Sequence, residues 1–171
     1  MLIVGIDPGP SGSGIVVYDT AKKAVVDIRV FAPNQQKASV REVCDVMTWV
    51  NVHAQVEDFV AIERVQSYGI SGGSLLRTAE VCGRIWQAAS FMGFPVRLIY
   101  RREVLRALDV TGKGNRDSLV RARLIEAHGG TRQAAQGTKK SPGPLYGVAG
   151  DVWAALAVAE AARLGAGEGM L

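Results

Sequence analysis

Leu2-Ile3-Val4-Gly5-Ile6-Asp7-Pro8-Gly9-Pro10-Ser11-Gly12-Ser13-Gly14 begins as a continuously apolar stretch, as strands covered on both faces do, and ends on a carboxylate at a glycine-rich turn. A second stretch repeats the ending. Phe59-Val60-Ala61-Ile62 is again apolar throughout and stops at Glu63. If the two strands lie side by side, two anions meet at one edge of a sheet. Like charges held close in low dielectric cost several kcal/mol, so such a pair persists where a proton is shared or a cation sits between them. The pattern reads as a divalent metal site.

Working outward, Ile15-Val16-Val17-Tyr18 and Ala24 to Phe31 predict two more strands, which with the first make an antiparallel meander. Val43, Met47 and Val50 recur at helical spacing between about Ser39 and Val56, ahead of the Glu63 strand. Ser74 to Met92 predicts a long helix stopped by Gly93, then Val96 to Ile99 a fifth strand, and Arg101 to Leu108 a short helix. Asn115 is placed to cap a helix carrying Leu119, Leu124 and Ala127. The stretch from Gly129 to Gly150, rich in Gly, Pro, Gln, Lys and Ser, has no periodicity and reads as a long mobile loop. A last helix begins near Asp151 and runs to about Leu164. This order gives an α/β class: a mixed five-stranded sheet, antiparallel meander plus parallel strands, with helices on both faces.

The chain has 171 residues, 48% of them hydrophobic, which suits one domain with a real core; residues 1–165 are expected to form it and 166–171 a flexible tail. Cys44 and Cys82 fall in helical patterns and read as two buried, reduced thiols. No apolar run reaches membrane-spanning length and no export signal opens the chain, so a cytoplasmic protein with no membrane partner is expected. The net charge of +4 is unevenly spread: from Arg97 to Arg132 there are nine basic residues against four acidic ones. That segment is a candidate polyanion-facing surface, with an ordinary arginine-rich helix face as the alternative.

Each carboxylate also has an ordinary reading. Asp7 can start a Pro-Gly turn, Glu63 can pair with an arginine, and Asp151, between Gly150 and an apolar helix, can serve as an N-cap. Together they match what a hard cation needs: anionic oxygens on rigid elements, with room for water. Two Mg²⁺ or Mn²⁺ ions about 3.5–4 Å apart activate water and stabilise a leaving oxygen in phosphoryl transfer, without a protein nucleophile. His53 and His128, in predicted helices and outside any Ser-His-Asp or Cys-His pattern, read as structural.

These residues resemble the RuvC-type Holliday junction resolvases, a family with the RNase H-like fold, over most of the chain. Gly5-Ile6-Asp7-Pro8-Gly9 followed by Gly14 is similar to the family's first motif and Ala61-Ile62-Glu63 to its second. Thr111-Gly112-Lys113-Gly114 resembles the Gly-x-Gly segment ahead of a basic helix, and Asp151 to Ala159 the closing helix. The sequence departs from the pattern at Ala154, where the family presents a second closing-helix ligand, and at Arg116 and Ser118, where it tends to show Ala and Lys. Such divergence in a short chain suits a phage or prophage version.

The resemblance implies a homodimeric, metal-dependent endonuclease that resolves four-way junctions or other branched DNA by symmetric hydrolysis. Asp7, Glu63 and Asp151 would hold two Mg²⁺ (or Mn²⁺) ions, Asp7 bridging them, and no small-molecule cofactor is implied. Arg102, Lys113, Arg116, Arg123 and the Lys139-Lys140 pair would hold phosphates, with steep salt dependence. Tyr68, the aromatic of the loop after Glu63, would either stack on a base at the junction centre or pack onto the sheet. The helix from Ser74 to Met92 is the expected dimer interface. The alternatives are an RNA-processing nuclease of the same fold and a junction-binding protein that has lost its chemistry; an actin-like ATPase ranks last, for want of a second phosphate loop and domain.

Overall fold

The computed structural model describes residues 1–9, 12–31, 40–54, 58–66, 72–111 and 116–167. Its centre is a five-stranded sheet in the order β3-β2-β1-β4-β5. β1 (Leu2–Asp7), β2 (Ser13–Asp19) and β3 (Ala24–Phe31) form the expected antiparallel meander, while β4 (Phe59–Arg64) and β5 (Val96–Tyr100) run parallel to β1. β1 is apolar on both faces because it is central and covered on both.

Strand alternation divides its side chains between two cores. Val4 and Ile6, with Val60 and Ile62 of β4, pack against α1 (Val40–His53) and α2 (Gly73–Phe91). Ile3, Phe59 and Ala61 pack on the opposite face, against α3 (Arg101–Ala107), α4 (Arg116–Ala127) and above all α6 (Val152–Arg163). α6 is hydrophobic nearly all round, with every residue from Ala155 to Ala162 buried, as a helix laid across the middle of a sheet requires.

Two glycines set how closely α6 approaches. A Cβ on Gly5 would stand 2.3 Å from the Ala155 carbonyl oxygen, and one on Gly14 would stand 2.5 Å from that of Asp151. With no side chain at either position, the helix backbone rests directly on β1 and β2. Asp7 pairs with Gly14 in the β1–β2 register, so the start of α6 comes down beside the end of β1.

The expectation of a long mobile loop from Gly129 to Gly150 is corrected. This stretch contains α5 (Arg132–Gln136) and a tight hairpin of β6 (Gly137–Thr138) and β7 (Ser141–Pro142). It is ordered by burial of Ala135, Leu145 and Val148, and by backbone bonds from Leu145 N–H to Ala135 O (2.7 Å) and from Val25 N–H to Pro144 O (2.8 Å). Cys82 is buried as expected, but Cys44 is exposed on α1, so only one thiol belongs to the core. Val120 rather than Leu119 is the buried partner of Leu124 on α4, and Ala127 is exposed. Asn115 lies outside the described residues. Ala166 donates its N–H to Ala161 O (2.9 Å) and packs on the core, so the fold continues through the first residues of the expected tail.

Both histidines have structural partners. His128 is buried, its Nδ1 2.7 Å from Leu124 O and its Nε2 2.8 Å from the Tyr18 hydroxyl. Nδ1 must therefore donate to the carbonyl, and the Tyr18 hydroxyl is shared between the His128 ring and the Glu160 carboxylate. His53 lies 2.8 Å from Trp49 O and 2.9 Å from Asp27. Among the described residues no helix is long and apolar enough to cross a membrane.

Candidate active site

The parallel register builds the site. Ile6 is paired with Ile62, so the next residues along the two strands, Asp7 and Glu63, end side by side at the carboxyl edge of the sheet. Both fall on the α6 face by alternation, since Ile3 and Gly5 precede Asp7 there and Phe59 and Ala61 precede Glu63. Asp151 reaches the same place from the start of α6. It occupies the N-cap position, yet its side chain makes no capping bond, which leaves the carboxylate to the cleft and sets aside the purely capping reading.

The cleft is about 450 Å³ and is lined by Asp7, Glu63 and Asp151 together with Asp117, Arg101, Arg121, Val120, Gly150, Trp153 and Ala154. A second hollow of about 220 Å³ lies on the other side of the strand ends, sharing Asp7, Glu63 and Arg101 and adding Arg64, Gln66 and Thr78. Arg101 is the positive centre of this arrangement. Its guanidinium is 3.8 Å from Glu63 and hydrogen-bonded to Asp117. The Arg121 guanidinium lies 5.3 Å over the Trp153 ring at the cleft wall.

The electrostatics follow from crowding. Burial pushes the Asp7 carboxyl up to about 7; Glu63, Asp151 and Asp117 add to the rise, and Arg101 partly opposes it. Burial also raises the Glu63 carboxyl above its usual range, with Arg101 pulling it back and Asp117 pushing further. The donor chemistry is that of a hard divalent cation: carboxylate oxygens on strand ends and a helix start, at a spot where added positive charge would relieve repulsion. As they stand, no three carboxylate, histidine or thiol groups among the described residues converge into a set able to hold an ion. The structure brings the predicted ligands to one cleft without closing them into a coordination sphere.

The predicted phosphate-holding residues divide. Arg102 lies 5.0 Å over the Tyr100 ring, as does Arg64. Arg116 is exposed at the start of α4, and Lys139 and Lys140 are exposed in the turn between β6 and β7. Arg123 points elsewhere: it pairs with Asp109 (3.1 Å) and Glu126 (3.0 Å) and borders a separate hollow with Glu160 and Arg163. Lys113 and Tyr68 lie outside the described residues. Sequence reasoning counted Arg101 among the phosphate-facing arginines of the 97–132 segment without placing it beside the acids, and it missed Asp117 as a member of the site. The signal for Arg101 was the end of the third parallel strand, one residue past Tyr100. Asp117 carried no signal beyond that of an ordinary acid in a helix's first turn.

A mixed sheet of this order, with α6 crossing its centre and acids at the ends of β1 and β4, is the RNase H-like arrangement. No protein-family model and no curated protein matches the chain. Solved structures do match. Thermus thermophilus RuvC in complex with a Holliday junction substrate superposes with a TM-score of 0.68 at 22% identity, over 99% of both chains. A further structure of RuvC from Thermus thermophilus gives 0.67 at 22% identity, over 99% of this chain and 100% of that one. At this identity the likeness is one of fold, and it runs from end to end.

Proposed function

We propose that this protein is a metal-dependent endonuclease that cuts branched DNA, four-way junctions above all, as a homodimer. The observation that carries the reading is the meeting of Asp7, Glu63 and Asp151 in one cleft through the Ile6–Ile62 register and the Gly14–Asp151 contact. Support comes from the end-to-end likeness in fold to a protein solved with a Holliday junction. Asp7, Glu63 and Asp151 are the proposed holders of Mg²⁺ or Mn²⁺. When bound, such ions activate water and neutralise charge developing on the leaving oxygen. The chain's own part is to hold anionic oxygens at fixed strand ends, to offer Arg101 and Arg121 to the phosphate, and to keep the scissile strand over the cleft with the outer basic residues.

The test is incision of a synthetic four-way junction beside linear duplex in Mg²⁺ and in Mn²⁺. Wild type is expected to place symmetric nicks near the branch point and Asp7→Asn to place none, while still binding the junction. Equal cutting by the variant would overturn the assignment.

A second reading, a junction-binding protein without chemistry, draws on Ala154 in the cleft wall and on the unclosed ligand set. It predicts tight junction binding by wild type with no nicks in either metal.

A further inference from the structure

Arg101 is held among the acids by the sheet itself. Glu63 pairs with Ile99 and Arg64 with Tyr100, so the residue after Tyr100 leaves β5 beside the carboxylate of β4. α3 starts there, and its start is pinned by Glu103, which accepts the Tyr100 N–H at 2.7 Å. The Arg101 side chain is only 24% exposed, and it borders both hollows that flank Asp7.

We propose that Arg101 is a resident counter-cation: without metal it ties Glu63 to Asp117 across the cleft, and when divalent ions enter it yields Glu63 and turns its N–H donors to an oxygen of the scissile phosphate. This rests on the nuclease reading above. A guanidinium does not lose its proton in proteins, so it supplies permanent positive charge where four carboxylates line one cleft. Once ions neutralise the carboxylates, the same guanidinium becomes surplus positive charge facing an anionic strand, and its planar fork matches two phosphate oxygens. Asp117, on the first turn of α4, is then the tether that parks the side chain when metal is absent.

The experiment is Mn²⁺ titration of the full chain without DNA, read by the resonance signal of free Mn²⁺, for wild type, Arg101→Gln, Arg101→Lys and Asp7→Asn, with junction binding then measured in Ca²⁺. Arg101→Gln removes the competing charge, so it is expected to bind Mn²⁺ about threefold or more tighter while binding the junction several-fold more weakly. Arg101→Lys keeps the charge and should stay near wild type in metal affinity. Should Arg101→Gln not fold, Arg101→Met, which also removes the charge, is expected to shift Mn²⁺ affinity in the same direction. Unchanged or weaker Mn²⁺ binding by the charge-removing variant, while Asp7→Asn abolishes binding, would overturn the role of Arg101 alone. A wild type that binds no Mn²⁺ would overturn the nuclease reading and this inference with it.

Discussion

At Asp7 stability and function pull in opposite directions. The side chain is mostly buried beside Glu63, and its carboxyl titrates near 7 rather than near 4, so ionising it in the metal-free fold is costly. The sign follows from the raised value: this group's contribution is most favourable below its unfolded value and is lost as pH rises through about 7. Asp7→Asn, which cannot ionise, should therefore stabilise the metal-free protein at pH 8 by on the order of 2–4 kcal/mol, with the advantage fading as pH falls toward 4. Chemical denaturation of both proteins across that range checks it; a variant less stable than wild type at pH 8 would mean that the Asp7 carboxylate is already compensated. That Asp7, Glu63 and Asp151, the proposed ligands, share one cleft was legible because each sits at a strand end or helix start that sequence alone marks. Asp117 and Arg101 were not, because what makes them members of the site is the approach of α4 and α3 to the strand ends, a long-range contact that leaves no local pattern.

Among the elements, α6 does most to place the site, and it does so through the gaps left by Gly5 and Gly14. Gly14→Ala would drive a methyl group against the Asp151 carbonyl, and Gly5→Ala against that of Ala155, one turn further along the helix. Each should cost about 1–3 kcal/mol of stability, as overpacking does, because backbone on both sides must move. Their effects on cleavage should differ. Gly14→Ala shifts the residue that carries the third carboxylate and should suppress incision far more than its loss of stability explains, whereas Gly5→Ala should track stability. Melting curves beside junction-cleavage rates separate the two, and equal losses of activity would remove Gly14 as the positioning contact. The sheet and its flanking helices could be read from hydrophobic period, because burial on one face or two is written into each segment. The region from Gly129 to Gly150 could not. Its buried residues Ala135, Leu145 and Val148 are too widely spaced to show a period, and the chain just after its short hairpin is tied to β3 by the long-range bond from Val25 N–H to Pro144 O.

For the molecule as a whole, the surface of α2 carries the next constraint. Val81, Cys82, Ile85 and Ala89 turn inward, while Leu76 (65% exposed), Trp86 (37%) and Phe91 (92%) lie on the outward arc of the same helix. Gly83 lies on that outward arc with no atom near the place its Cβ would occupy, so a second helix could approach closely there. These exposed apolar side chains are spread along the helix rather than joined in one patch, and they are where a partner helix can dock. In the proposed function the occupant is a second copy of the chain, since two opposed cuts across a junction need two clefts. Leu76→Glu combined with Phe91→Asp should leave the fold intact, because neither side chain is buried, and should halve the mass seen by sedimentation. The same variant should nick a four-way junction on one strand without the paired second cut. If its mass matches wild type, α2 is not the contact; if paired cuts persist in a species shown to be a monomer, symmetric incision does not require two copies joined along this helix.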